Sequence, residues 1–482
     1  MKQIFISIIF ACIVLGLNAQ SPKQEIRAVW LASNYALDWP DKPFRNTYDI
    51  NEQQEELIDI LDKLKEANFN MVFLQTRLRG DVIYNSNIEP VSSYIQGVKN
   101  TWSNYDALAF AVAECHKRGL ECHAWFVTYP LMNGQTVKQH KNKVKRYGKE
   151  FYMDPGDPET NTYLASLIDE MVSRYDIDGI HLDYIRYPDN AGDFPDQATY
   201  RLYGKGLLKS EWRRENINRF VYQVYDAVKS RKPWVQVSSS VYGMYDRIKG
   251  SKRSHATAVG VYQDPEKWLR DGKQDFIVPM MYNSGDLFFP FIQDWRARSH
   301  GRWIIPGLGV FRIDEKEGNW KIGKIEEQIQ STRDNQMEGN AFYRTRYLMK
   351  NKKGVLDTIA NRFYRRPAVL PPLVWLSKAT PESPRNVGAV TAGEYLCLHW
   401  DPVATKTAGS VFYNVYRSES WPVDTSRSDY LIAARVPDRM LFVPLDNIGE
   451  SGYYYAVTSS DRYHNESRIS EPVYFLMGPL EK

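Results

Sequence analysis

The sequence predicts an α/β protein: a closed (β/α)8 barrel, or TIM barrel, followed by a small all-β sandwich. Over residues 25–367, strand-like stretches alternate eight times with amphipathic helical stretches. The strand-like stretches are apolar at consecutive positions, as parallel strands covered by helices must be. Beyond a proline-rich stretch the helical periodicity stops, and short alternating segments typical of a β-sandwich follow.

The barrel prediction depends on the number of strand–helix units. Predicted helices lie at 51–69, 106–119, 161–175, 211–231, 264–272 and 324–336. Predicted strands lie at 26–33, 70–77, 120–126, 177–185, 234–243, 275–282, 302–310 and 339–348. Eight such units favour a closed barrel. The runner-up is an open doubly wound sheet, which is weakened because no Rossmann or P-loop glycine motif follows any strand.

The two ends of the chain predict the domain organisation. Residues 1–19 resemble a secretory signal peptide, with one Lys, an apolar stretch over 4–17 and Ala19 before the cleavage site. We therefore expect export to the periplasm or outside the cell, with attachment to the cell surface left open. The predicted segments are a signal peptide (1–19), the barrel (20–370), a proline-rich linker (371–384) and a fibronectin type III-like sandwich (385–482).

Composition narrows the classes of partner. The 482 residues carry a net charge of +4, and the basic residues are dispersed, so no nucleic-acid partner is predicted. No segment outside the signal peptide is apolar enough to span a membrane. No cysteine has a metal-site spacing and no acidic residues match a calcium loop, so neither a metal nor a cofactor is predicted.

The most informative stretch is DGIHLDYIRYP, at residues 178–188. Side chains alternate along a strand, so Ile180 and Leu182 share one face while His181 and Asp183 share the other. The apolar pair is expected to face the helices. His181 and Asp183 are then expected to point into the barrel near its C-terminal mouth, where such barrels place their reacting groups.

Polar and aromatic residues also end several other predicted strands. A barrel core does not require them at so many strand ends, and together they favour a polar pocket. The candidates are Arg77, Asp81 and Tyr84 after strand two, His123 and Trp125 on strand three, Ser240 on strand five, and Tyr282 after strand six.

At these residues the sequence resembles the bacterial glycosyl hydrolase-like 10 family. The matching phrases are EIRAVWLASNYALDWP, FLQTRLRGDVIYNS, MDPGDPE, IDGIHLDYIRYP, WRRENINRFV and DFIVPMMY. The resemblance covers most of residues 25–375. It implies a (β/α)8 barrel that hydrolyses glycosides outside the cytoplasm. It also implies a cleft containing Arg77, Asp81, Tyr84, Asp183, Tyr184, Ser240 and Tyr282.

Hydrolysis of a glycosidic bond commonly uses two carboxyl groups, one of which protonates the leaving oxygen. Asp183 is the candidate acid and Asp81 the favoured second carboxylate, with Asp154 and Glu338 as rivals. A substrate-assisted route through an N-acetyl group of the sugar would remove the need for a protein nucleophile. Arg186 or Arg77 near the acid would oppose a raised pKa, so these arginines are alternatively expected to hold an acidic sugar.

The sequence therefore predicts an exported glycoside hydrolase acting on a polysaccharide or a bacterial cell-wall glycan. A catalytically inactive carbohydrate-binding barrel is the alternative, and a surface adhesion protein led by its β-sandwich is a third. The predicted substrate contacts are Arg77, Tyr84, His123, Trp125, His181, Tyr184, Arg186, Ser240 and Tyr282.

Overall fold

The computed structural model of the chain describes residues 21–97, 104–248, 257–404, 409–448 and 452–477. The predicted signal peptide lies outside the described residues. Within those ranges, no helix combines the length and the apolar character that crossing a membrane requires.

Residues 21–370 contain twelve strands. Eight parallel strand positions form the barrel, and three short strands lie in one of its loops. The strands are β1 (Ile26–Leu31), β2 (Met71–Arg77), β3 (Glu121–Val127), β4 (Pro130–Leu131), β5 (Val144–Tyr147), β6 (Glu150–Met153), β7 (Gly179–Asp183), β8 (Gln236–Tyr242), β9 (Phe276–Met280), β10 (Trp303–Ile304), β11 (Gly307–Leu308) and β12 (Gly339–Phe342).

The barrel is closed, as predicted. Parallel pairing runs β1, β2, β3, β7, β8, β9, and β12 returns to β1. The seventh position is shared by β10 and β11, which both pair with β9, while β11 also pairs with β12. Because every strand is parallel, all the C-terminal strand ends open at one mouth.

Helices cover the outside of the barrel. The predicted strand over 339–348 is too long, because it ends at Phe342 and a helix begins at Thr345. Aromatic residues in that stretch imitate a strand pattern. The helices are α1 (Thr47–Glu66), α2 (Ala107–Lys117), α3 (Gly134–Gln139), α4 (Pro158–Arg174), α5 (Gln197–Tyr203), α6 (Lys209–Arg231), α7 (Pro265–Arg270), α8 (Phe289–Ala297), α9 (Gly323–Asp334), α10 (Thr345–Met349) and α11 (Val355–Thr358).

The side chains of β7 alternate as predicted. Ile180 and Leu182 join the hydrophobic cluster between the barrel and its helices. His181 points inward and stacks on Phe73, with ring centroids 4.1 Å apart. Gly179 lies beside His123, and a Cβ atom there would come within 2.2 Å of the His123 ring, so the barrel interior requires glycine at this position.

Residues 385–477 form two antiparallel sheets, and their kinship to fibronectin type III domains stays a prediction. The strands are β13 (Gly388–Ala392), β14 (Tyr395–His399), β15 (Phe412–Ser418), β16 (Leu431–Val436), β17 (Met440–Pro444), β18 (Tyr453–Ser460) and β19 (Val473–Phe475). The first sheet pairs β13, β14 and β17, and the second pairs β16, β15, β18 and β19.

The C-terminal sheets close the N-terminal end of the barrel. Leu373, in the predicted linker, is fully buried in the cluster inside the barrel, so this part of the linker is packed. Glu121, at the start of β3, accepts a hydrogen bond of 2.7 Å from His464 and lies 3.4 Å from Arg435. Arg462 lies 3.1 Å from Asp178. Two arginines and a histidine of the sandwich therefore contact two buried carboxylates at the bottom of the barrel.

Candidate active site

A cavity of about 260 Å³ opens at the C-terminal mouth of the barrel, and we call it the main cavity. Its lining residues lie on or just after seven of the eight barrel strand positions, with β10 and β11 contributing none. Fewer than half of all the lining residues carry a charge, an amide or a hydroxyl group, the tyrosine hydroxyls not counted. Its aromatic side chains are Trp30, Tyr35, Trp125, Tyr184, Tyr282 and Tyr343.

Asp183 is the acidic residue in this wall. Its side chain is 8% exposed, and its Oδ2 accepts a hydrogen bond of 3.1 Å from Trp125 Nε1. Its Oδ1 accepts one of 2.7 Å from the Tyr184 amide. Burial raises the pKa of Asp183, while Arg186, these hydrogen bonds and Arg79 offset part of that rise. A carboxyl group whose pKa is raised keeps its proton to higher pH, which suits a general acid.

Tyr184 follows Asp183 in a strained conformation. Its φ is 52°, a left-handed backbone that residues other than glycine rarely adopt. This conformation turns its amide toward Asp183 and places its ring between two guanidinium groups. Arg186 lies 4.4 Å from the ring centroid and Arg79 lies 5.4 Å from it. Backbone strain of this kind is concentrated at functional sites.

His181 forms a fixed floor beneath the cavity. Its Nε2 accepts a hydrogen bond of 3.1 Å from Trp30 Nε1, which can only donate. The proton of the neutral ring is therefore on Nδ1, which lies 2.9 Å from Ser238 Oγ. Ser240 Oγ lies 2.8 Å from Nε2 and donates to it. Burial, with repulsion from His123, holds the pKa of His181 well below its usual range, so the ring stays neutral.

A second cavity, also of about 260 Å³, adjoins the main cavity, and we call it the side cavity. Arg79, Tyr184 and Arg186 line both cavities. The small sheet of β4, β5 and β6 contributes one wall, and the loop after β7 contributes the other. Its remaining lining residues are Tyr147, Glu150, Tyr152, Tyr187, Pro188 and Asp189.

Five predicted site residues besides Asp183 line the main cavity: Trp125, Tyr184, Arg186, Ser240 and Tyr282. Among the described residues, Asp183 is the only carboxyl group of this lining. Two internal stretches of the barrel domain, 98–103 and 249–256, are not among the residues that the structure describes. Their sequences contain no Asp or Glu.

The structure does not bring Asp81 into the main cavity. Asp81 lies in the turn after β2, where its backbone carbonyl accepts from the Leu78 amide and its side chain lies 3.4 Å from the Arg79 amide. The prediction that it faces Asp183 as the second carboxylate finds no support in this geometry. In a sequence, a cluster of polar residues that stabilise a tight turn looks the same as a cluster of polar residues that line a cleft.

Arg77 does not line the main cavity, and its predicted role as a substrate contact stays a prediction that this geometry does not support. Its side chain is fully buried and forms a fork with Glu89, with nitrogen–oxygen distances of 2.9 and 2.7 Å. It also donates to the carbonyl groups of Val127, the last residue of β3, and of Thr128, which follows it. Arg77 therefore ties two strand ends together from outside the cavity.

Tyr84, His123 and His181 also lie outside the lining of the main cavity, so their predicted contacts with substrate stay predictions. Tyr84 packs on the ring of Tyr175, 5.5 Å away, within the cluster between barrel and helices. His123 has no exposed surface and its Nε2 lies 3.0 Å from Glu121. His181 is likewise fully buried. The alternation of side chains along a strand correctly predicted that both histidines point into the barrel. It did not show how far along the barrel axis they lie from the cavity.

Sequence reasoning did not single out several lining residues. Trp30 and Gln75 share the inward face of β1 and β2, and Tyr343 follows β12. Gln75 holds the loop after β1 by accepting hydrogen bonds from the Ser33 and Asn34 amides, at 3.1 and 2.9 Å. Side chains alternate along a strand, and applying this rule to β1 and β2 would have identified Trp30 and Gln75 as inward-facing residues.

A closed parallel barrel with an aromatic mouth and a buried acid at a strand end is the architecture of TIM-barrel glycoside hydrolases. The model of the family "Glycosyl hydrolase-like 10" matches residues 25–299, more than half of the chain. The chain belongs to this family, and the predicted class, a glycoside hydrolase, is confirmed at that level.

Two curated relatives and one solved structure agree with this assignment. Glycosyl hydrolase YngK of Bacillus subtilis (strain 168) is 32% identical over an alignment 508 positions long, covering 97% of this chain and 98% of that one. Glycosyl hydrolase DigH of Escherichia coli (strain K12) is 32% identical, covering 69% and 86%. The PgaB (BpsB) glycoside hydrolase domain from Bordetella bronchiseptica matches with a TM-score of 0.51 at 14% identity, covering 71% and 99%, and this likeness concerns the fold alone.

Proposed function

We propose that the chain is an exported glycoside hydrolase that cleaves a polysaccharide or a bacterial cell-wall glycan, with Asp183 as the general acid. The observation that carries the proposal is a single buried carboxyl group with a raised pKa in an aromatic cavity. Aromatic rings stack on the apolar faces of sugars, and a positioned acid protonates the leaving oxygen. Export rests on the signal-peptide pattern of residues 1–19.

The second reacting group is the main mechanistic question. A pair of carboxyl groups would stand about 5 Å apart for retention and about 6.5–9.5 Å apart for inversion. No second carboxyl group lines the main cavity among the described residues. This supports the route in which an N-acetyl group of the sugar acts as nucleophile, because that route does not require a nucleophile from the protein.

A catalytically inactive carbohydrate-binding barrel is the second candidate. It is favoured by one observation: Arg186 lies 3.9 Å from Asp183 and stabilises the ionised carboxylate, which cannot donate a proton. A binder would hold sugars with the same aromatic wall and release no product.

The deciding experiment measures sugar release from a panel of glycans by residues 20–482 and by the Asp183→Asn variant. The panel contains peptide-free cell-wall glycan, chitin oligosaccharides and neutral plant polysaccharides. We expect product from the wild type and a loss of about 10²–10⁴-fold in kcat for Asp183→Asn, the usual contribution of a general acid. Tight glycan binding without product from either protein would establish the binder instead.

Asp81→Asn is the matched control. It removes the charge of another aspartate, a half-buried one in the turn after β2, outside the main cavity. We expect it to keep activity within about threefold of the wild type once its folding is verified, because remote substitutions rarely alter the barrier. Equal losses in the two variants would contradict the assignment of the acid.

A further inference from the structure

Arg186 is a buried cation with an unsatisfied donor. Its side chain is 10% exposed, and its Nη1 has no hydrogen-bond partner among the described residues. Two tyrosine rings hold its guanidinium, that of Tyr184 at 4.4 Å and that of Tyr242 at 4.9 Å. An unpaired donor on a buried charge costs free energy, so a site that retains one commonly serves a ligand.

The charge balance of Arg186 changes with the catalytic state. Asp183 is the only carboxyl group within 4.0 Å of its guanidinium among the described residues, at 3.9 Å. In the proposed mechanism Asp183 must carry a proton before it can act as an acid. Arg186 then has no ionised partner at that distance, and a negative charge from the substrate would restore the balance.

The position of Arg186 shows where such a charge would lie. Arg186 and Arg79 form the wall shared by the main and side cavities. The charge of Arg79 is already matched by Glu150, 3.0 Å away, which also accepts from Tyr152. Asp189 is engaged by the hydroxyl of Tyr242. Arg186 is therefore the donor that remains open toward the cavities.

We propose that Arg186 forms a subsite for a carboxylate on the glycan, at the junction of the main and side cavities. This inference rests on the proposed function and adds a substrate class, a sugar bearing a carboxylate. The planar guanidinium suits a carboxylate because it can donate two parallel hydrogen bonds. Lysine at this position would keep the charge but lose that geometry.

Occupation of the subsite also favours the catalytic state. A bound carboxylate neutralises Arg186 and so removes part of the attraction that stabilises ionised Asp183. The pKa of Asp183, already raised by burial, would rise further. The other groups that face Asp183 are the phenols and the indole of the wall and one further cation: Trp125, Tyr184, Tyr282, Tyr343 and Arg79.

The test compares binding of matched glycans to the Asp183→Asn protein, which leaves the ligand intact. The probes are peptide-free cell-wall glycan, whose carboxylate is a lactyl ether, and hyaluronan, whose carboxylate is a uronate, each before and after chemical reduction of its carboxyl groups. We expect at least one intact glycan to bind about 10–100-fold more tightly than its reduced form, as for hydrogen bonds to a charged group. Which glycan shows the difference identifies the source of the carboxylate.

Three variants sharpen the test. In the Asp183→Asn background, Arg186→Gln is expected to bind intact and reduced glycan within about twofold of each other, and Arg186→Lys to retain part of the preference. Arg270→Gln removes a cation whose side chain is 53% exposed on α7 and should leave the preference unchanged. With Asp183 restored, Arg186→Gln should move the alkaline limb of the pH profile on a neutral glycan to higher pH.

The outcomes separate the two proposals. Equal binding of intact and reduced glycans by the Asp183→Asn protein, or no binding of either, overturns the subsite even if the wild type hydrolyses glycans. A carboxylate preference without hydrolysis of any glycan by the wild type supports the subsite and defeats the proposed function. If Arg186→Gln does not fold, the comparison of intact with reduced glycan still decides.

Discussion

Two carboxyl groups are buried inside the same barrel, one at each end, and their pKa values are shifted in opposite directions. Glu121 at the bottom and Asp183 at the mouth are both nearly inaccessible to solvent. Burial opposes ionisation of Glu121, but attraction to His464 and Arg435 and hydrogen bonds from His123 and His464 hold its pKa well below its usual range. Burial dominates at Asp183 and raises its pKa.

The difference teaches that partners, not depth, decide the charge of a buried acid. Glu121 accepts hydrogen bonds of 3.0 Å from His123, 2.9 Å from Gln236 and 2.7 Å from His464. Both nitrogens of His464 face acceptors, the other being the Pro371 carbonyl at 2.9 Å, so that ring donates from both. Asp183 has one neutral side-chain donor, one amide and a distant guanidinium. The bottom is therefore structural, whereas the mouth is left open for chemistry.

The largest expected effect comes from removing Glu121, the acid at the bottom of the barrel. Glu121→Ala leaves Arg435 and His464 buried without their anion, which costs about 3–5 kcal/mol when one partner of a buried pair is removed. We expect the midpoint of urea unfolding to fall accordingly, while the activity per folded molecule stays close to that of the wild type. An unchanged midpoint would show that the sandwich does not depend on this cluster.

Removing the charge of the acid at the mouth, by Asp183→Asn, should have little effect on stability. Asp183→Asn removes a charge that is disfavoured already and keeps an oxygen for the Tyr184 amide or the Trp125 indole. We expect the free energy of unfolding to change by about 1 kcal/mol or less, in either direction. A loss as large as that of Glu121→Ala would mean that Asp183 is structural too.

The two ends should also respond to pH in opposite directions. Because the folded pKa of Glu121 lies below its usual value of 4.5, its contribution is present above that pH and is lost as the solution becomes more acidic. Asp178 behaves alike: burial opposes its ionisation, but His116 and Arg462 lower its pKa to about 2. We expect acid unfolding below about pH 4.5, with a weaker dependence on pH in Glu121→Gln.

Asp183 gives the converse dependence. Its folded pKa is raised, so protonation is favoured in the native state and its contribution is lost as pH rises through that pKa. If Asp183 is the acid, activity is lost over the same interval. Sugar release measured against pH should show an alkaline limb that Asp183→Asn, whose residual rate is insensitive to this proton, lacks.

The smallest effect tests one hydrogen bond at the mouth. Trp125→Phe removes the indole donor, 3.1 Å from Asp183 Oδ2, which stabilises the ionised form. We expect the alkaline limb to move to higher pH, with a change of about three- to tenfold in kcat/KM, near the net worth of one hydrogen bond. Movement to lower pH would contradict the assigned role of the indole.

Periodicity along the chain was enough to predict the barrel, the helices α1, α2, α4, α6, α7 and α9, and the inward direction of His181 and Asp183. These follow from local rules, since side chains alternate on a strand and a helix buries one stripe. The family resemblance likewise rests on contiguous phrases. Local pattern failed where two conformations share a composition, as at residues 345–349, which form the helix α10 although the stretch before them and Tyr347 suggested a strand.

Contacts between distant residues decided the rest. From the sequence, Arg77 and Arg186 are equal candidates for a substrate contact. In the structure, Arg77 forms an ion pair with Glu89, whereas Nη1 of Arg186 has no hydrogen-bond partner among the described residues. Glu121 and Asp183 likewise appear as two acids on neighbouring strands. Their charges depend on partners up to 343 residues away in the chain, such as His464. Electrostatic energy depends on separation in space and on local desolvation, and neither quantity can be read from order along the chain.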